Sequence, residues 1–462
     1  MSLKPVSEAS FGIETDVAII GAGCAGLIAS LAARERGAQV VVFERDPLPR
    51  GSTALSSGLI PAAGSRLQRE AGIVDSPELL ADDIRKKARN EVDEVVVQAV
   101  TTAVGPTVDW LMDRHAIPFV VDKSFLYPGF SAPRMHGTPN RRGEELMDHL
   151  HRAAIDAGAD VLTDARVECL YHDAEQVRGL RIVRPDGSGE DVACKALVLA
   201  CCGFGGNPAM LRQYIPVIAD APFLGHAGNE GDGIRWGEAL GGELRQMGAF
   251  QGHGSIAIPH NMGISWATMM SGGIQVNALG ERFANEHRGY SEQAVDVLQQ
   301  PGGFAFDIYD ERCHQVTFGW GHYRDAVDAG VLRSGATATA LAATLGLPPG
   351  ALELTLEDVA SFVAGGTVSF GRDFTTKPAL KPPYYAVKVT GGLYHTQGGL
   401  AVDGEGRVKK RAGGVLPNLF AAGGAACGVS GSADWGYLAG NGLLTAVALG
   451  RLAGAAAAKL VG

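Results

Sequence analysis

The stretch Gly21-Ala22-Gly23-Cys24-Ala25-Gly26 has the spacing GxGxxG, and Glu44 follows eighteen residues after its last glycine. Each position has a chemical reason. Gly21 permits a tight turn, Gly23 lets backbone amides approach a pyrophosphate, and Gly26 lets a helix pack closely on a strand. A carboxylate at Glu44 can accept hydrogen bonds from a ribose diol. The pattern predicts a dinucleotide site. A second cluster, "RGSTALSSGLI" from Arg50 to Ile60, brings hydroxyls and glycines that can cradle the other half of a pyrophosphate. "RMHGTPNRRGEEL" supplies Arg134, His136, Arg141 and Arg142. These are either ligands for a substrate acid or surface cations paired with Glu144 and Glu145, at a helix that starts at Gly143. "HTQGGLAVDGEGRV" sets His395 and Thr396 before Gly398, Gly399 and a charged turn.

These groups need a scaffold. Val17 to Ile20 is a short β-branched run that predicts a buried parallel strand, a helical segment runs to Arg36, and Val40 to Phe43 predicts a second strand ending at Glu44. "KALVLACCGFGGNP", Lys195 to Pro208, is a further strand and glycine turn. It lacks a full βαβ unit and a following acid, which argues against a second nucleotide motif. The alanine-rich tail "LLTAVALGRLAGAAAAKL" is interrupted by Arg451 and glycines, and reads as a buried helix rather than a membrane span.

Composition sets the outer bounds. A chain of 462 residues suits two or three domains, and 46% hydrophobic residues supply a sizeable interior. The formal charge of −10 disfavours a general nucleic-acid binder. The seven cysteines show no CxxC spacing, so zinc, iron–sulfur and haem attachment are not expected, and no metal is. The odd count and the absence of a signal-like N-terminus predict a soluble cytoplasmic protein.

Taken together, "GAGCAG…ERD", "GSTALSSG", "ACCGFGGNPAML", "GNEGDGI", "GERFANE", "HTQGGLAVDGEGRV", "LFAAGGAACG" and "GYLAGNGLLTAVALGRLAG" resemble the flavoproteins related to fumarate reductase and the 3-ketosteroid dehydrogenases. The resemblance implies an α/β fold. A split Rossmann-like FAD-binding domain, a parallel sheet flanked by helices, would occupy 1–245 and 376–462. An inserted α+β capping domain would occupy 246–375. FAD would be met by Gly21, Gly23, Ala25, Gly26, Glu44 and Arg45. The serine-rich loop would add Gly51, Ser52, Thr53, Ser56, Ser57 and Gly58. Val167, Gly203 and Asp232 would follow, and the C-terminal part would add Gly398, Gly423, Gly424, Asn441, Leu443 and Leu444. The loop "GSTALSSG" has no histidine, so the cofactor is expected to be bound non-covalently. The "HTQGG" glycines would pack against the isoalloxazine, with His395 and Thr396 turned to substrate.

In fumarate reductases an arginine a few residues after "RFxNE" donates the proton, and a second arginine before the C-terminal glycine turn clamps a carboxylate. By motif alignment these positions fall on Tyr290 and Tyr437, although a two-residue shift would bring Arg288 to the first. Phenols cannot replace a guanidinium fork. They match the ketosteroid dehydrogenases, whose pattern implies that Tyr290 exchanges the α-proton. Tyr437 and the amide of Gly440 would then hold a ketone oxygen, with Tyr127 in "YPGFS" as relay. Trp266, Met269 and Met270 would be an apolar lid or plain cap core. The implied activity is FAD-dependent desaturation of a ketone, a steroid or a smaller ring with or without a carboxylate, or the reverse enone reduction. The partners would be a small-molecule ketone or enone and an external electron acceptor or donor. A fumarate- or tricarballylate-type reductase, with His395, Arg141 or Arg142 on the acid, is the alternative.

Overall fold

Val17, Ala18 and Ile19 are fully buried, and they end a strand that runs from Phe11 to Ile20. Its register with Val40–Phe43 pairs Val17 with Val40 and Ile20 with Phe43, in parallel. The computed structural model, which describes residues 2–124 and 126–462, extends this pair into a five-strand parallel core. The order is Asp160–Leu162, Val40–Phe43, Phe11–Ile20, Gly189–Leu199, Val415–Ala421. The near-continuous apolar runs in these strands reflect burial on both faces. Gly189–Leu199 is longer than the others, and its first half, still parallel to Phe11–Ile20 on one edge, pairs antiparallel with Gln176–Val183 on the other.

One face of the sheet carries the helix Cys24–Arg34, two residues shorter than its sequence pattern suggests, and the C-terminal helix Asn441–Val461. The small residues of the tail now have a reason. A Cβ added at Gly450 would lie 2.7 Å from the carbonyl oxygen of Ala25, and one at Gly454 would lie 2.1 Å from that of Ala29. The two helices touch backbone to backbone, which only glycine permits. Glu94–His115 and Asn441–Val461 are long and apolar enough to cross a bilayer, but more than half of each apolar window is buried inside the fold.

A second sheet is built mainly from the middle of the chain. It runs Met262–Gly263, Phe250–Ala257, Tyr384–Thr396, Ala305–Asp310, Ile274–Val276, with Leu332–Gly335 also on Tyr384–Thr396. The α/β architecture with a capping domain expected from the sequence is the one observed. The strand Tyr384–Thr396 lies within the stretch assigned to the second FAD-binding segment. Its hydrogen bonds go to cap strands, from Tyr384 opposite Asp310 to Thr396 opposite Phe250.

Candidate active site

A cavity of about 740 Å³ lies between the parallel sheet and the cap. At its nucleotide end, Gly21 has φ +102°, and a Cβ there would sit 2.6 Å from the carbonyl oxygen of Ala200. A Cβ at Gly26 would sit 1.9 Å from the carbonyl oxygen of Gly21. A Cβ at Gly23 would meet nothing within 4 Å, because it would project into the cavity. Gly23 therefore leaves a bare backbone cradle at the start of the helix Cys24–Arg34, where amides favour an anion. The Glu44 carboxylate accepts the amide of Ala22 at 2.9 Å and that of Asp46 at 3.1 Å. Burial pushes its pKa up against those bonds. Ser52 Oγ accepts from the His226 amide at 3.1 Å and from Asn229 Nδ2 at 2.7 Å, which fixes the serine-rich loop. Cradle, carboxylate and hydroxyl loop together fit the pyrophosphate and ribose of a bound FAD.

Most of the expected cofactor residues line this cavity: the first motif through Gly21, Gly23, Ala25, Glu44 and Arg45, the whole set from Gly51 to Gly58, and also Val167, Asp232, Gly423, Gly424 and Leu443. Gly26, Gly203, Gly398, Asn441 and Leu444 are not among the lining residues. Gly203 is held from behind by Thr396, whose Oγ1 accepts the Phe204 amide at 3.1 Å. Gly398 corrects an expectation. A Cβ there would strike the carbonyl oxygen of Gln246 at 2.3 Å, so this glycine admits a neighbouring backbone rather than the isoalloxazine.

At the other end, the helix Tyr290–Leu298 and the turn Asp434–Gly436 bring Tyr290 and Tyr437 together, with ring centroids 6.0 Å apart. Gly440, at φ +80°, opens the C-terminal helix beside them. Burial, then Tyr437 and Tyr127, push the Tyr290 phenol well above its ordinary 10. Burial also raises Tyr437, while the amides of Gly440 and Gly442 and the Tyr290 hydroxyl pull it back. Tyr127 lines the same cavity and is raised by burial and by Asp122.

Sequence reasoning missed His253. Its ring stacks on Tyr290 at 5.1 Å and meets Trp266 and Tyr394 edge-on, each at 5.6 Å. Burial pushes its pKa down to about 3, so the imidazole is neutral. The Ser255 amide donates to Nδ1 at 3.1 Å, which leaves the proton on Nε2 as a donor. The signal was available in "FQGHGSIA": alternation along a strand puts Gln251 and His253 on one face, and both line the cavity. Trp266 lines the cavity as well, whereas Met269 is fully buried core.

His395 lines the cavity, but its Nε2 lies 3.4 Å from Cys202 Sγ, and its Nδ1 lies 2.8 Å from Gln397 Nε2. Burial lowers its pKa, but the neighbouring Cys202 outweighs that and raises it, while Cys202 is lowered in turn. The basic cluster divides in a way the sequence did not suggest. Arg134 is not a surface cation paired with Glu144 or Glu145. It is fully buried, with Asp75 at 2.8 Å and Asp83 on its other nitrogen. His136 is buried against Ser65 Oγ at 2.7 Å. Arg141 and Arg142 do reach the cavity, with Asp122 at 3.3 Å and Asp325 at 3.6 Å as their acids. Arg288 pairs with Asp296, is half exposed and is not among the lining residues.

The family model described as FAD binding domain matches residues 16–443. The chain belongs to this FAD-binding family. A probable fumarate reductase of Shewanella frigidimarina is 30% identical over 450 residues, covering 96% of this chain and 75% of that protein. The 4-oxocyclohexanecarboxylate 2-dehydrogenase of Sinomonas cyclohexanicum is 27% identical over 559 residues, covering 96% of this chain and 95% of that protein. The crystal structure of 3-ketosteroid-Δ4-(5α)-dehydrogenase from Rhodococcus jostii, in complex with 4-androstene-3,17-dione, has a TM-score of 0.79 at 25% identity. It covers 99% of this chain and 100% of that one. The protein is an FAD-dependent oxidoreductase of the fumarate reductase and ketosteroid dehydrogenase type, and FAD is its cofactor.

Proposed function

We propose that this flavoprotein interconverts a cyclic ketone and its α,β-unsaturated counterpart. The observation that carries this reading is the pair Tyr290 and Tyr437 on one cavity wall, with rings 6.0 Å apart, where fumarate reductases would carry arginines. Similarity along 95% of a 4-oxocyclohexanecarboxylate dehydrogenase and to a ketosteroid dehydrogenase supports a ring ketone as substrate.

Bound FAD supplies the hydride acceptor or donor, held without a covalent bond because the serine-rich loop offers no histidine. Tyr437 O–H and the Gly440 amide hold the ketone oxygen and stabilise the negative charge that grows there in the enolate. Tyr290 stands beside them to pass a proton to or from the α-carbon. A phenol held above 10 is protonated at neutral pH, so as it stands it is a donor. That favours enone reduction, with the proton going from Tyr290 Oη to the α-carbon. Neutral His253, with Nε2–H as donor, orients the Tyr290 ring and offers the substrate a second hydrogen bond. Electrons enter from an external donor.

A second reading, reduction of an unsaturated carboxylate, is favoured by the 30% identity to a fumarate reductase and by Arg141 and Arg142 on the cavity wall. One assay separates the two. Chemically reduced, FAD-loaded enzyme is mixed anaerobically with cyclohexenone carboxylates, a steroid enone and fumarate, and flavin reoxidation is followed. Reoxidation by a ring enone, lost in Tyr290→Phe, is the expected result. Reoxidation by fumarate alone would overturn the proposal.

A further inference from the structure

Lys87 ends the helix Pro77–Lys87 on the FAD-binding side of the cavity, and its ammonium crosses to the cap. Nζ donates to the carbonyl oxygen of Arg288 at 2.7 Å and pairs with the carboxylate of Glu292. Those two residues bracket Tyr290. The pair is nearly closed to solvent, the lysine side chain 11% exposed and the glutamate 10%. The lysine stem also runs along a third segment. A Cβ at Gly129, two residues after Tyr127, would lie 3.7 Å from Lys87 Cδ and 2.6 Å from Leu438 Cδ2, next to Tyr437. The guanidinium of Arg89 lies 4.4 Å over the ring of Trp435, two residues before Tyr437. The end of one helix therefore touches all three segments that carry Tyr127, Tyr290 and Tyr437.

We propose that Lys87 is a positioning residue that fixes Tyr290 against Tyr437 across the seam between the two domains. This inference rests on the proposed role of those tyrosines. The helix that begins at Tyr290 follows Gly289, at φ +147°, and has no side-chain cap of its own. Its first turn is instead held by an ammonium from the opposite domain. Glu292 Oε2 is buried without a partner, so Lys87 is what compensates the carboxylate. Without it, neither the Arg288 carbonyl nor Glu292 is tied to the opposite domain, and the first turn shifts with Tyr290 on it.

The test uses FAD-loaded enzyme and a substrate that the wild type turns over. Lys87→Met leaves a buried unpaired carboxylate, so the double variant Lys87→Met/Glu292→Gln accompanies it as the folded control. A misplacement of about 1 Å can cost about 100-fold in rate, so kcat should fall roughly 10- to 100-fold in both variants. KM should stay within about twofold, since binding groups are untouched. Lys87→Arg, which can reach both acceptors, should recover most of kcat. Wild-type kcat in the double variant, beside an inactive Tyr290→Phe, overturns this inference alone. Wild-type kcat in Tyr290→Phe overturns the reading of the site and this inference with it.

Discussion

Glu286, the last residue of "GERFANE", is fully buried between Arg282 at 2.7 Å and Arg372 at 3.1 Å. Burial alone would raise its pKa, but Arg372 and Arg282 together overcome that and bring it from 4.5 to about 2. At about 1.4 kcal/mol per pH unit, a depression of that size corresponds to roughly 3–4 kcal/mol of stability tied to the ionised carboxylate. The sign follows from linkage. The folded-state pKa lies below the unfolded one, so the contribution is full above pH 4.5 and is lost as pH falls towards 2. Glu286→Gln keeps the shape and removes the charge, leaving two nearly buried guanidiniums without their anion. Removing one partner of such a pair typically costs about 3–5 kcal/mol. The carbonyl oxygen of the same residue accepts Trp266 Nε1 at 3.2 Å, so Trp266 adds a component from this part of the cap to the emission of the chain's five tryptophans. Urea unfolding at pH 7, followed by that emission, should show the variant less stable by about that amount. The wild type should lose stability more steeply than the variant below pH 4.5. Equal stability within about 1 kcal/mol at pH 7, or parallel acid profiles, would refute the reasoning that the ionised triad stabilises the fold.

Four further outcomes are expected. Gly23→Val should fold with near-native melting yet purify without flavin absorbance, because its side chain fills the cradle. Gly26→Ala, whose Cβ would strike backbone at 1.9 Å, should instead lose soluble protein. His253 is held neutral by burial, to about 3, so its burial opposes folding increasingly as pH drops below 6.5. His253→Asn keeps an acceptor for the Ser255 amide and should flatten stability between pH 6.5 and 5 in denaturant titrations. Acid precipitation of the holoenzyme should release all FAD to the supernatant, and yellow colour retained in the pellet would contradict non-covalent binding.

The nucleotide half of the molecule was legible because its requirements are local. A turn at φ +102°, a helix start and an acid at the next strand end must occur in that order, so Gly21, Gly23 and Glu44 carry their purpose in their spacing. The tyrosine pair was found through resemblance, since nothing local ties Tyr290 to Tyr437 across 147 residues. Long-range electrostatics were opaque. Arg134 sits in a run that looks like a charged surface, and only the approach of Asp75 and Asp83 from a distant helix region shows it to be core. Lys87 escaped for the same reason, because its partners lie two hundred residues away on the other domain. At Gly398 the spacing shows that backbone must come close, but not that the neighbour is Gln246.

The strand Tyr384–Thr396 is continuous from the outer cap to the floor of the cavity, with Gln251 directly opposite His395 and His253 opposite Gly392. Cap and floor thus share one spine. The excursion between residues 258 and 383 returns to that spine through Ala305–Asp310 and Leu332–Gly335, both paired with its outer half. It carries Tyr290 inward with it, and the phenol stays stacked on His253 as long as those rungs hold.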